Sequence, residues 1–124
     1  MNSKVETVIR ILFALSLLIF GLNKFFYFIP NPPIEGAGGE LMNIYVTSGF
    51  MKMIGGLEVL VGISLLIQKF VPFFLTIIAA IMFNAVVFHI LYDLAALGPA
   101  VAALIITLLH IYFNKSRFKD LLSA

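Results

Sequence analysis

Residues 11–22, ILFALSLLIFGL, carry no charge, and the chain turns apolar again as soon as Lys24 is passed. A helix needs about 20 mostly apolar residues to cross the hydrocarbon core of a bilayer. Four segments meet that length, at about 5–28, 50–68, 70–92 and 97–114. They take up most of the 124 residues, so 62% of the chain is hydrophobic and only 11% is charged. Soluble domains carry about 25% charged residues, and a small soluble fold buries too little surface to hide this much apolar material. The expected fold is all-α: an integral membrane four-helix bundle, forming one domain over residues 1–124.

Proline and glycine mark the breaks. Pro30, Pro32 and Pro33 stop the first span because proline lacks the helix N–H donor. Pro72 suits the first turn of the third span, and Pro99 lies near the start of the fourth. Residues 30–49 read PNPPIEGAGGELMNIYVTSG. Its Pro/Gly half is expected to be a loop, and GELMNIYVT a short helix lying at the interface. GAGG lacks the flanking strand, helix and lysine of a phosphate cradle. The connection at Gln68-Lys69 is short enough to make spans two and three antiparallel neighbours.

Charge asymmetry predicts the orientation. Lys4, Arg10, Lys69, Lys115, Arg117 and Lys119 fall on one side, while Glu35, Glu40 and Asp93 lie on the other with Lys24 and Lys52. The positive-inside rule then predicts a multi-pass membrane protein with both termini in the cytoplasm. The N-terminus has the charge pattern of a signal peptide but no small-residue cleavage site, so a retained helix is expected. A net charge of +2 gives no reason to expect nucleic acid. With no cysteine, the chain can neither exchange disulfides nor ligate an iron–sulfur cluster by itself.

Side chains three and four residues apart share a helix face. Arg10, Ala14, Leu17, Gly21, Lys24 and Phe28 form one stripe, whose small residues favour close helix approach. In span two, MIGGLEVLVG puts Gly55, Glu58 and Gly62 on one face. Glu58 lies ten residues before Gln68, about 15 Å into the membrane at 1.5 Å per residue. A lone carboxylate there costs about 2.5–3.5 kcal/mol on insertion scales, so it must pair, take a proton or meet water. Lys24, fourteen residues beyond Arg10, stands about 5 Å from it in depth. Asn84, fourteen residues beyond Phe70, falls at the height of Lys24. The expected polar cluster is therefore Lys24, Glu58 and Asn84. Two other readings stay open: Lys24 can snorkel to the headgroups, and the Lys24–Glu58 pair can be a structural clamp. Asn84 can equally be interhelical glue.

His89 and Asp93 are four residues apart at the outer end of span three, where they suit a polar pair at a site mouth. Two potential ligands on one helix do not make a metal site, and none is expected. Asn84 and His89 point about 140° apart on a helical wheel and cannot both face one small ligand. His89 and His110 sit at about 28 Å and 8 Å in depth, too far apart to share a haem. His110, like Arg10, is read as a structural polar residue of the bundle interior. Ser16, Ser48 and Ser64 read as small packing residues.

RILFALSLLIFGLNKF, GGLEVLVG and NAVVFH together resemble the DoxX family of small bacterial membrane proteins. The resemblance runs through all four spans and rests on Arg10, Gly21, Lys24, Glu58, Gly62 and His89. FGLNKFFYFIPNPP with FNAVVFH looks most like DoxX-like proteins of the Bacteroidetes type. It implies a four-helix membrane protein, and association with membrane redox systems such as quinone-reducing thiosulfate oxidoreductase or oxidative-stress complexes. The resulting expectation is an accessory, quinone-associated subunit of a membrane redox system, partnered by the bilayer and by a redox protein or a second copy of itself. No cofactor motif is evident, and quinone is the candidate molecule. The rival readings are a proton-coupled or small-molecule transporter, with Glu58, Lys24, His89 and Asp93 as a polar route, and an assembly protein that uses its glycine-rich faces.

Overall fold

A computed structural model describes residues 3–119 and 121, and among these the secondary structure is helical. The helices are α1 (Ser3–Phe26), α2 (Gly36–Thr47), α3 (Phe50–Ile67), α4 (Val71–Tyr92) and α5 (Leu97–Phe113). Short 3₁₀ turns cover Leu94–Ala96 and Lys115–Phe118. α1, α3, α4 and the stretch Leu94–Phe113 are each long and apolar enough to cross a membrane. Large apolar side chains cover their outer surfaces, among them Leu12, Phe73, Phe83 and Leu108. Such a surface suits hydrocarbon, since an apolar cover this extensive is a liability in water.

α1 lies antiparallel to α3 along its length, α3 packs on α4, and α4 packs on α5. The seam between α5 and α1 is sparse. The core gathers at one end of the bundle. Phe13, Ala14 and Leu17 meet Val61, Leu65, Val71, Leu75 and Ile78 there, and Phe118 closes the layer. Toward the other end the packing loosens, and α4 has no buried residue from Ala79 to Tyr92. Arg10 lies at the packed end and Lys24 at the looser one.

Two of the boundaries that differ from the sequence expectation have a visible cause. α1 stops at Phe26 rather than residue 28, because Tyr27 takes a positive φ of 53° and turns the chain out of the helix. α2 begins at Gly36, so GAGG is helical and not part of the loop. Tertiary contact explains this. α2 leans on α4 so closely that a Cβ on Gly38 would lie 2.6 Å from the Cβ of Tyr92. Glycine's low helix propensity is offset by an approach that only glycine permits.

The α3–α4 turn is tight, with both Gln68 (φ 56°) and Phe70 (φ 58°) left-handed. Positive φ is costly for residues with a Cβ, and side chains hold the turn in place. Ser64 Oγ donates to Lys69 O at 2.6 Å, and Arg117 Nη2 donates to Gln68 O at 3.1 Å. Ser64 is thus a buried turn-closing residue, more than the packing filler its sequence context suggests.

Candidate functional site

The site begins with two glycines. A Cβ on Gly21 would lie 2.7 Å from Gly55 O, and a Cβ on Gly55 would lie 2.6 Å from Gly21 O. α1 and α3 therefore touch backbone to backbone. One turn along each helix, this approach brings Lys24 Nζ to 2.8 Å from Glu58 Oε1. The Glu58 side chain is 4% exposed and that of Lys24 23%. Lys24 Nζ also donates to Phe20 O at 3.4 Å, a long bond within its own helix. Charge-assisted bonds of this length are the strong ones, and each charge offsets the burial cost of the other. Gly62 extends the contact, with Ala14 O 2.9 Å from where its Cβ would stand.

Arg10 lies at the other end of the same helix pair. Its Nη1 donates to Leu65 O at 2.5 Å and reaches Leu66 O at 3.4 Å. These carbonyls belong to the last turn of α3, where no further helical N–H is available. A cation there also meets the negative end of the helix dipole. The stripe of α1 is thus used at both ends: Arg10 caps α3, and Lys24 neutralises its buried acid.

Asn84 does not join the pair. Its side chain is exposed and its Nδ2 donates to Ala80 O at 2.8 Å, on its own helix. The expected three-residue cluster is a two-residue one, because the turn of α4 that carries Asn84 presents it outward. His89 and Asp93 face each other, with Nδ1 3.5 Å from Oδ2, but lack hydrogen-bond alignment. The ring of Phe88 stands edge-on to His89 at 5.5 Å. His110 is 1% exposed, stacks on Phe13 at 5.3 Å and bonds Ile106 O through Nδ1 at 2.8 Å.

Asn23 is the residue that the sequence reading passed over. It is buried, and its Oδ1 accepts the Ile29 N–H at 2.7 Å while its backbone O accepts Tyr27 N–H at 2.8 Å. It thereby folds the chain back over the end of α1, one residue before Lys24. The available signal was an amide side chain near the last turn of an apolar helix, just ahead of a proline cluster.

Four helices able to cross a membrane, joined by a buried ion pair between two of them, define a multi-pass helical membrane protein. No family model, curated protein or solved structure matches the chain.

Proposed function

We propose that the chain is an accessory subunit of a redox system in the bacterial inner membrane, approached by quinone, with both termini in the cytoplasm. The observation that carries this reading is the Lys24–Glu58 pair, at 2.8 Å, joining the last turn of one helix of spanning length to the middle of another. Ionisable residues within such helices are expensive and concentrate at functional sites. Here the acid is neutralised within the chain and flanked by backbone contact at Gly21 and Gly55. That arrangement favours a rigid subunit with a fixed polar point over a carrier whose helices must part. The resemblance to the DoxX family adds the redox association and the quinone.

Purification of the tagged chain from its native membrane tests the proposal. The expected result is a co-purifying redox protein with quinone-dependent turnover, which falls when the chain is removed. Substrate flux in liposomes holding this chain alone would move the assignment to transport. Recovery of the chain with no redox partner would leave an assembly protein.

A further inference from the structure

Most polar side chains within the four spans find a partner inside the chain. Ser16 Oγ donates to Phe13 O, Ser64 Oγ to Lys69 O and Thr107 Oγ1 to Ala103 O. Glu58 has Lys24, and His89 faces Asp93 near the end of α4. Thr76 is exposed, but its hydroxyl donates to Pro72 O at 2.9 Å. Asn84 differs. It is exposed on α4, and its bond from Nδ2 to Ala80 O, at 2.8 Å, occupies one of its two amide hydrogens. The second hydrogen and Oδ1 meet no partner among the described residues.

Depth makes that shortfall expensive. Asn84 stands thirteen residues past Val71 and eight before Tyr92, about 20 Å and 12 Å from the two ends of α4 at 1.5 Å per residue. Both distances fall within a hydrocarbon core about 30 Å thick. Water does not reach the lipid face there to take up the spare donor and acceptor, and the short asparagine side chain cannot stretch to the headgroups as lysine does. The missing partner comes from another helix.

The surrounding face says what that helix must be. Phe73, Ala80, Val87 and Leu91 all fall within about 60° of Asn84 on a helical wheel, and all are exposed. The chain covers this half of α4 sparsely, with no buried residue from Ala79 to Tyr92. Ala80, one turn before Asn84, is small enough to let a second helix approach to hydrogen-bonding distance. The partner must offer both a donor and an acceptor at the depth of Asn84. A primary amide offers both, so it pairs with itself, each N–H donating to the other's oxygen. Two copies inserted in the same direction hold Asn84 at one depth, and a twofold axis along the bilayer normal turns the two faces toward each other. The face carries no charge, so it can meet itself without repulsion. We propose that this face of α4 is the interface of a homodimer, with the two Asn84 amides hydrogen-bonded across the axis. The interface uses neither Lys24 nor Glu58, and it does not depend on the redox reading.

The test uses the purified full-length chain in liposomes, as a mixture of copies labelled at the N-terminus with donor or acceptor fluorophores. Energy transfer should fall by mass action as lipid is added, and single particles should bleach in two steps. Asn84→Leu, which suits lipid, should weaken the dimer about tenfold, the usual effect of a hydrogen bond between membrane helices. Ala80→Phe, which blocks the approach, should weaken it at least as much. Unchanged helical circular dichroism in both variants separates a lost dimer from a lost fold. The chain has no cysteine of its own. In native membranes a single Ala80→Cys should therefore form a disulfide-linked dimer under mild oxidation, while Leu108→Cys, exposed on α5, should not. A monomer at every lipid ratio would overturn the proposal, as would a dimer equally strong in a folded Asn84→Leu variant. So would particles of more than two copies, or equal cross-linking from Ala80→Cys and Leu108→Cys. A photoreactive group at Val87 that captures another polypeptide, and never a second copy, would give the face to a different partner and overturn it too. Co-purification of a redox protein reads the accessory-subunit proposal separately, so either can fail alone.

Discussion

Gly21 and Gly55 each occupy the space that a Cβ on the other helix would need, with carbonyl oxygens at 2.7 Å and 2.6 Å from the two ideal Cβ positions. Lys24 Cβ lies 2.8 Å from the Gly55 position as well. The approach of α1 to α3 is thus set at the backbone, and the ion pair is built on it. Gly55→Ala should force the helices apart and cost about 1–3 kcal/mol, the usual range for overpacking. Gly62→Leu should be worse, because Ala14 O and the Leu18 side chain already stand near 3 Å from its Cβ position. Thermal unfolding in detergent measures both. Unchanged midpoints would mean that this face of α3 is free, against the geometry described.

Lys24 and Glu58 call for a double-mutant cycle. Removing one member of a buried pair strands the other and costs about 3–5 kcal/mol in soluble proteins. Lys24→Met and Glu58→Gln should each lower stability, and the double variant should recover part of the loss. Scored in parallel, function separates the roles. Recovery of stability and function together identifies a clamp; recovery of stability alone places the pair in the mechanism. Strict additivity would mean the two side chains do not interact.

Arg10 donates to the last carbonyls of α3, and hydrogen bonds from a charged group contribute about 1.5–3 kcal/mol. Arg10→Met should lose that amount. Arg10→Lys should recover only part, since an ammonium keeps the charge but lacks the guanidinium fork. Equal stability of the lysine variant and the parent would reduce the interaction to charge alone.

Asn23→Ala removes the acceptor of the Ile29 N–H and should cost about 1 kcal/mol. The effect should be local. Amide exchange should quicken in the loop after α1 and leave Leu65 and Leu75 protected, because the core they belong to lies toward the Arg10 end. Quickened exchange throughout the bundle would make Asn23 a global support instead.

Orientation is open to direct labelling. A single cysteine at Glu35 should react with an impermeant reagent added to intact cells, and one at Lys119 should react only after lysis. The opposite pattern would reverse the proposed topology and place the Arg10 end on the outer side.

Much of the architecture was legible because each span announces itself within its own residues. Hydrophobic length marked four spanning helices within two or three residues at each end, and helical spacing put Gly55, Glu58 and Gly62 on one face. Depth arithmetic brought Lys24 and Glu58 to similar heights. The same arithmetic misplaced Asn84, and the contrast is instructive. Height is a property of one helix and follows from a count of residues. Whether a side chain at that height meets a partner depends on how its helix is rotated against its neighbours, and Asn84 is turned outward.

The sequence by itself determined the apolar character of this chain's surroundings, the number of helices long and apolar enough to cross a membrane, and the small-residue face along which α1 and α3 close. Those properties are sums or periods over neighbouring residues. Tertiary structure alone decided which polar groups are left with partners. It folded Asn23 back to Ile29, set Ser64 under the α3–α4 turn, made GAGG helical against Tyr92, and buried His110 against the ring of Phe13. The Asn23 and Ser64 bonds rest on how the chain turns at a helix end, and the other two on the offset and rotation of one helix against another. A hydrogen bond requires its two atoms within about 3 Å, and rotating a helix by one residue carries a side chain through about 100°, out of that reach.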